Sequence, residues 1–155
     1  MEKMKVNELR IGSIVTHEDY SSELFEVISI VPNEYVNNSY VINTHGGKNG
    51  TWLNDIGLIN PVYITKELLM QLGFEKRIGL SINWFLNDDL LENLKWTTSR
   101  LYLRVYGYRI EVRSGDCEGT KCIATIKYIH QLQNIFSSLS GEELKFNLNG
   151  KDNHQ

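Results

Sequence analysis

Cysteine is nearly missing from this chain: its 155 residues carry only two, Cys117 and Cys122. A small disulfide-stapled scaffold needs several such pairs, so that class is excluded and reduced thiols in a cytosol are the expectation. As a zinc half-site the pair lacks a second pair, and no histidine lies between or just beyond the two. The intervening Glu118-Gly119-Thr120-Lys121 could still form a turn that lets the two sulfurs meet. No metal or cofactor is implied. Long apolar runs are missing as well. No segment approaches the ~18 apolar residues of a membrane helix, and no apolar stretch of a signal peptide follows Met1-Glu2-Lys3-Met4-Lys5. A cytoplasmic protein without membrane contact is expected. Nor is there an excess of positive charge: 16 Lys and Arg stand against 19 Asp and Glu, a net charge of −3. Tight nucleic-acid binding draws on phosphate neutralisation, so nucleic acid is disfavoured as a partner unless the fold gathers a local basic patch. Internal repeats and low-complexity segments are also absent.

What is present is ordinary for a globular domain, with 41% hydrophobic and 23% charged residues. A chain of this length removes about 68–70% of its extended surface from water on folding and needs no staples. Residues 1–60 read as a run of short strands. Leu9 and Ile11, then Ile14 and Val15 beyond Gly12, suggest a strand broken at the glycine. Phe25, Val27, Ile28, Ile30 and Val31 form a β-branched run, with the polar residues 17–23 as the connecting loop. Two further strands, 40–42 and 51–53, flank a glycine-rich loop at 45–50. That loop contains Lys48 but is followed by a strand rather than by a Ser/Thr opening a helix, so it reads as a hairpin tip and not as a phosphate cradle. Strands of this size and spacing predict an SH3-like small β-barrel, whose closure would hide its strand edges.

Residues 61–148 read as a mixed portion packed on that barrel, making the whole chain α+β. Thr65 is the N-cap of a helix over residues 66–72, Leu68, Leu69 and Leu72 form its apolar stripe, and Gly73 ends it. Residues 78–86 suggest a strand. Asp89 and Glu92 have capping-box spacing for a short helix. Residues 101–105 alternate and return through 109–113 as a β-hairpin, 123–126 add a strand, and Leu144, Phe146 and Leu148 suggest an edge strand. Residues 149–155 are expected to fray. The second main helix starts near Tyr128 and ends at Gly141. Tyr128, Leu132, Ile135 and Leu139 give its buried stripe, with Ile129 and Phe136 beside them. His130, Gln133, Asn134 and Ser137 then fall on the wet side, where a solvated face and a recognition surface both fit. On the hairpin, Tyr102, Arg104 and Tyr106 share one face near Arg109. Alternating Tyr and Arg can stack bases or anchor a protein, and can equally be a second buried face.

Three stretches carry a resemblance: Leu9-Arg10-Ile11-Gly12-Ser13-Ile14-Val15; Pro61-Val62-Tyr63-Ile64-Thr65-Lys66-Glu67-Leu68-Leu69 with Leu72-Gly73-Phe74; and Lys127-Tyr128-Ile129-His130-Gln131-Leu132-Gln133-Asn134 with Leu139-Ser140-Gly141-Glu142-Glu143-Leu144. As a set they resemble a family of short phage and mobile-element proteins of gut bacteria, with residues 79–99 least alike. The resemblance implies an accessory protein and brings no substrate with it.

The leading expectation is a non-enzymatic binding protein acting by protein or nucleic-acid contact, with inhibition of a host defence as one form. Its tentative binding residues are His130, Gln133, Asn134, Tyr102, Arg104, Tyr106 and Arg109; no catalytic set is recognised, and a protein is the expected partner. One alternative is a binder or sequestering protein for a nucleotide, with His130, Asn134, Tyr106 and Arg104 around one pocket. Another is a metal-dependent nuclease, which would need Asp88, Asp89 and Glu92 to converge with Glu142 and Glu143.

Overall fold

The computed structural model describes residues 3–47, 50–78, 82–86, 100–106, 109–116 and 119–146. The fold is α+β, with two five-stranded antiparallel sheets and two helices among the described residues. It divides into two compact units, one built on Met1–Val62 and the other on Tyr63–Leu144.

The first unit opens with a 3₁₀ turn, Val6–Glu8, and the chain then turns at Ile11 and Gly12 instead of forming the strand expected around Leu9 and Ile11. Gly12 adopts a φ of 86° and donates to the Val27 carbonyl, which fixes the entry to β1 (Ile14–His17). The link to β2 (Tyr20–Pro32) is tighter than residues 17–23 suggest. His17 Nδ1 accepts the Asp19 amide at 3.1 Å, so Glu18 and Asp19 alone make the turn, and His17 already pairs with Tyr20. β2 is long because irregularities bend it. Its residues from Tyr20 to Glu26 pair with β1, and those from Phe25 to Pro32 pair with β3 (Tyr40–Gly46), with a bulge between Val27 and Ser29. The extra residue raises the local twist and changes which alternate residues of β2 face the core beyond it. β4 (Gly50–Asp55) pairs with β3 from Gly46↔Gly50 onward, so the glycine-rich segment is a hairpin tip as expected.

A second 3₁₀ turn, Ile56–Leu58, leads into β5 (Ile59–Pro61), which pairs with β1 and completes the order β4-β3-β2-β1-β5. Sequence reading missed β5 because three residues carry no periodicity, and Pro61 suits only a strand terminus or edge. Met4, Leu9, Val15, Phe25, Val27, Ile42 and Ile59 form the core, with Tyr20, Ile30, Tyr40, Trp52 and Ile56 packed against it. Buried Asn54 donates to the hydroxyl of fully buried Thr44 at 3.2 Å, satisfying the polar pair inside this core.

The second unit begins with α1 (Lys66–Gln71), where the Thr65 hydroxyl accepts from the Leu68 amide at 3.2 Å. Leu69 and Leu72 are buried and Gly73 follows, as the sequence implies. The stretch expected as one strand is a hairpin, β6 (Phe74–Ile78) and β7 (Ile82–Leu86). β8 (Arg100–Tyr106), β9 (Arg109–Asp116) and β10 (Gly119–Ile126) complete a meander in the order β10-β9-β8-β7-β6. The expected helix at Asp89–Glu92 and the frayed tail lie outside the described residues, as does Cys117; Cys122 is a free, exposed thiol on β10.

Ile64 donates to the Lys127 carbonyl at 3.0 Å, and Tyr63 bridges Tyr128, so the two ends of this unit meet. α2 (Ile129–Ser140) follows, with the Gln131 side chain reaching back to accept the Lys127 and Tyr128 amides. Gly141 closes the helix with a φ of 75°. No edge strand starts at Leu144; its carbonyl is taken by Gln133 of the helix instead. No helix among the described residues is long and apolar enough to cross a membrane.

A Cβ placed on Gly141 would meet no atom within 4 Å, so its replacement isolates the cost of the left-handed backbone. Gly141→Ala is expected to lower unfolding free energy by about 1–2 kcal/mol, and Gly141→Asn by less, because asparagine tolerates this region. Urea unfolding of the full chain measures both, and equal losses would contradict the assignment.

Candidate docking surface

The helix nominated from sequence does not present its amides to solvent. His130 is fully buried, Gln133 is buried, and Asn134 is half-buried. The buried stripe runs through Ile129, Leu132, Gln133 and Phe136, whereas Leu139 is exposed and Ile135 is half-buried. At 3.6 residues per turn, this stripe is rotated by roughly a quarter turn from the Tyr128–Leu132–Ile135–Leu139 line. Two contacts explain the rotation. Tyr128 precedes the first turn, facing Tyr63 at a ring separation of 4.8 Å and stacking on His130 at 5.7 Å. The Gln133 amide, carried inward, donates to the Leu144 carbonyl at 3.2 Å and holds the chain after Gly141 against the helix. Ser137 donates to Glu143 at 3.4 Å along the same return. A buried amide with a backbone partner is architectural, since removing it would strand a carbonyl. His130 and Gln133 are therefore turned inward, away from a partner at the surface, whereas Asn134 remains half-buried.

The described positions of the Tyr/Arg face on β8 and β9 are partly or fully covered. Tyr102 is buried, and Arg104 is half-buried opposite Glu111 in the register. Glu111 and Arg113 form an ion pair at 2.8 Å with side-chain exposures of 13% and 18%. The Glu111 carboxylate, and then Tyr102, hold the Arg113 guanidinium above its ordinary pKa. β8 is thus buried on both faces, Leu103 on one and Tyr102 on the other. Tyr106 and Arg109 are register partners; their side chains, and Asp88, Asp89 and Glu92, lie outside the described residues. Among the described residues no three His, Cys, Asp or Glu side chains gather as a metal site would require.

Among the described residues, seven of the eleven exposed large hydrophobic side chains lie in the first unit, several of them on β2, β4 and the loop after β2. Ile30, Tyr40 and Ile42 point to the core, so their neighbours on β2 and β3 point away from it. Directly opposed residues share a face. The outer face therefore carries the rows Val31–Val41–Asp55, Ser29–Asn43–Leu53 and Glu26–His45–Thr51. Val31 is 50% exposed and Leu53 is 73% exposed. The loop joining β2 to β3 continues this end of the face with Tyr35 at 95% and Val36 at 52%.

That loop is fixed by its own hydrogen bonds. The Asn33 amide donates to the Ser39 carbonyl at 2.9 Å, and the Ser39 amide to the Val36 carbonyl at 3.2 Å. The Asn33 side chain accepts the Tyr35 amide at 3.0 Å, and Asn38 takes a left-handed φ of 59°, which asparagine tolerates. Asp55 anchors the assembly, accepting from Gly57 N–H and from the Ser39 hydroxyl, both at 2.8 Å. The Gly57 N–H chiefly, then Ser39, Asn33 and Lys3, hold its carboxyl below the usual carboxylate range. A large apolar side chain held at near-full exposure by a preset loop is a feature of interaction sites, because little ordering entropy remains to be lost on contact. The sequence signal was available: Tyr35 and Val36 interrupt an otherwise polar loop, a pattern that helps no core.

Burial gives His130 a pH signature. Its pKa is lowered from 6.5 to about 4 because the interior disfavours the charged ring. The unfolded chain therefore binds a proton that the folded chain refuses, and stability falls as pH drops from about 6.5 to about 4, by roughly 3 kcal/mol from this residue. In urea unfolding followed across that window, His130→Leu should flatten this acid limb; an unchanged limb would contradict the interior placement. Compared with protein-family models, curated proteins and solved structures, the chain matches none.

Proposed function

We propose that this protein is a non-enzymatic binding module that works by protein contact through the outer face of its first sheet. The observation that carries the reading is Tyr35, nearly fully exposed with Val36 on a hydrogen-bonded loop, in the sheet whose outer face also exposes Val31 and Leu53. Tyrosine at such a position supplies a large, stiff contact with few rotatable bonds, the usual character of an interface anchor. The strand order β4-β3-β2-β1-β5, with a 3₁₀ turn between β4 and β5, supports reading this unit as an SH3-like small barrel. Such a scaffold would present the β2–β3 loop rigidly. Action in the cytoplasm, and the phage or mobile-element setting, belong to the same proposal and rest on the sequence alone.

Site-specific photo-crosslinking in cells tests it. A photoreactive phenylalanine at Tyr35 should trap a protein, and Leu53→Lys in the same chain should abolish the adduct. The same probe at exposed Met70 of the second unit serves as the control. Equal trapping at Met70, trapping that survives Leu53→Lys, or no protein adduct at Tyr35 would overturn the reading. Tyr35→Ala should leave unfolding free energy within about 0.5 kcal/mol of the parent, as expected for a side chain with no packing role.

A further inference from the structure

We infer that the partner of this face is a cationic protein segment, one that sets apolar side chains on Val31, Leu53 and Tyr35 and lysine or arginine around them; the inference rests on the docking reading above. Charge on the strands and loop of the face is negative, and Lys3, which reaches the Gly57 carbonyl beside Asp55, is the cation described near it. β2, β3 and β4 contain no Lys or Arg, and neither does the loop between β2 and β3. Between Arg10 and Lys48 the chain carries Glu18, Asp19, Glu23, Glu26 and Glu34 and no lysine or arginine. Glu26 lies at one end of the outer face, Asp55 at the other, and Glu34 immediately before Tyr35. The Gly57 amide and Ser39 hydroxyl keep Asp55 ionised, with the Lys3 ammonium near it, so the net anionic charge of the rim rests on Glu26 and Glu34.

Exposed apolar side chains with carboxylates at the ends of the same face select their occupant in two ways. The rim attracts cations and repels carboxylates during approach, which sets on-rate and specificity more than area does. It also disfavours two other occupants. A second copy of the chain would bring Glu26, Glu34 and Asp55 against their own kind, and a nucleic acid would bring phosphates to a surface where these three carboxylates face the single described cation Lys3.

The test uses the full chain and two synthetic peptides, one alternating leucine with lysine and one alternating leucine with glutamate, followed by amide chemical shifts and by titration. The leucine–lysine peptide should perturb Val31, Tyr35 and Leu53 and lose affinity as salt is raised. Glu26→Gln and Glu34→Gln should each weaken it by about two- to fivefold at low salt, the range for exposed ion pairs. The leucine–glutamate peptide should not bind. If both peptides bind the face equally, or if the two glutamine variants change nothing while Leu53→Lys abolishes binding, the charge inference fails and the docking reading stands. If Leu53→Lys leaves binding intact, or the shifts fall only elsewhere, both fail. Concentration-dependent dimerisation of the free chain that Leu53→Lys removes would overturn the cationic occupant in favour of a second copy.

Discussion

Asp55 is the constraint from which the first unit takes its shape. One carboxylate ends β4, caps the 3₁₀ turn through Gly57 and pins the β2–β3 loop through Ser39. The 3₁₀ turn redirects the chain into β5, and β5 reaches β1, so the sheet acquires its fifth strand through that turn. The loop and the turn are separated along the chain and share no core side chain. A single ionised group joins them because charge-assisted hydrogen bonds are shorter and stronger than neutral ones. The geometry that completes the sheet therefore also fixes where Tyr35 stands.

The second unit is organised around a different exchange. Its last helix turns a neutral amide and an imidazole inward, at positions where Leu or Ile would be expected. Gln133 is matched by the Leu144 carbonyl, which binds the chain beyond Gly141 to the helix. His130 accepts a depressed pKa in return for stacking on Tyr128. Polar groups in such positions fix one rotational phase of a helix, since any other phase would leave the Leu144 carbonyl without the amide that serves it. The same logic applies to β8 and β9, where Glu111 and Arg113 neutralise each other within a covered face. Both features resemble recognition groups in a sequence and act as internal fasteners in the fold.

The division of roles follows. Tyr102, Tyr128, His130 and Gln133 of the second unit are buried, while the first unit carries most of the large apolar side chains exposed among the described residues. Eleven large hydrophobic residues are exposed among those described, and Ile28, Val31, Tyr35, Val36 and Leu53 belong to β2, β4 and the loop after β2. Ile11, Met70 and Ile123 are scattered singly in sequence and need no explanation beyond the usual apolar share of a surface.

Local chemistry alone determined the elements whose signals are short-range. The Thr65 cap, the glycine stop at Gly141, the hairpin tip after β3 and the alternation of β8 each follow from a side chain acting within a few residues, so the sequence contained them in full. It also determined the α+β class, because both periodicities are present. The tertiary structure decided everything that depended on distant partners. β5 exists because β1 offers it an edge. The helix phase was set by Tyr63 and Leu144, which lie outside any helical window. The candidate binding face emerged for the same reason: whether an apolar residue is core or contact depends on which side of a bent sheet it falls, and a bulge between Val27 and Ser29 settles that for β2.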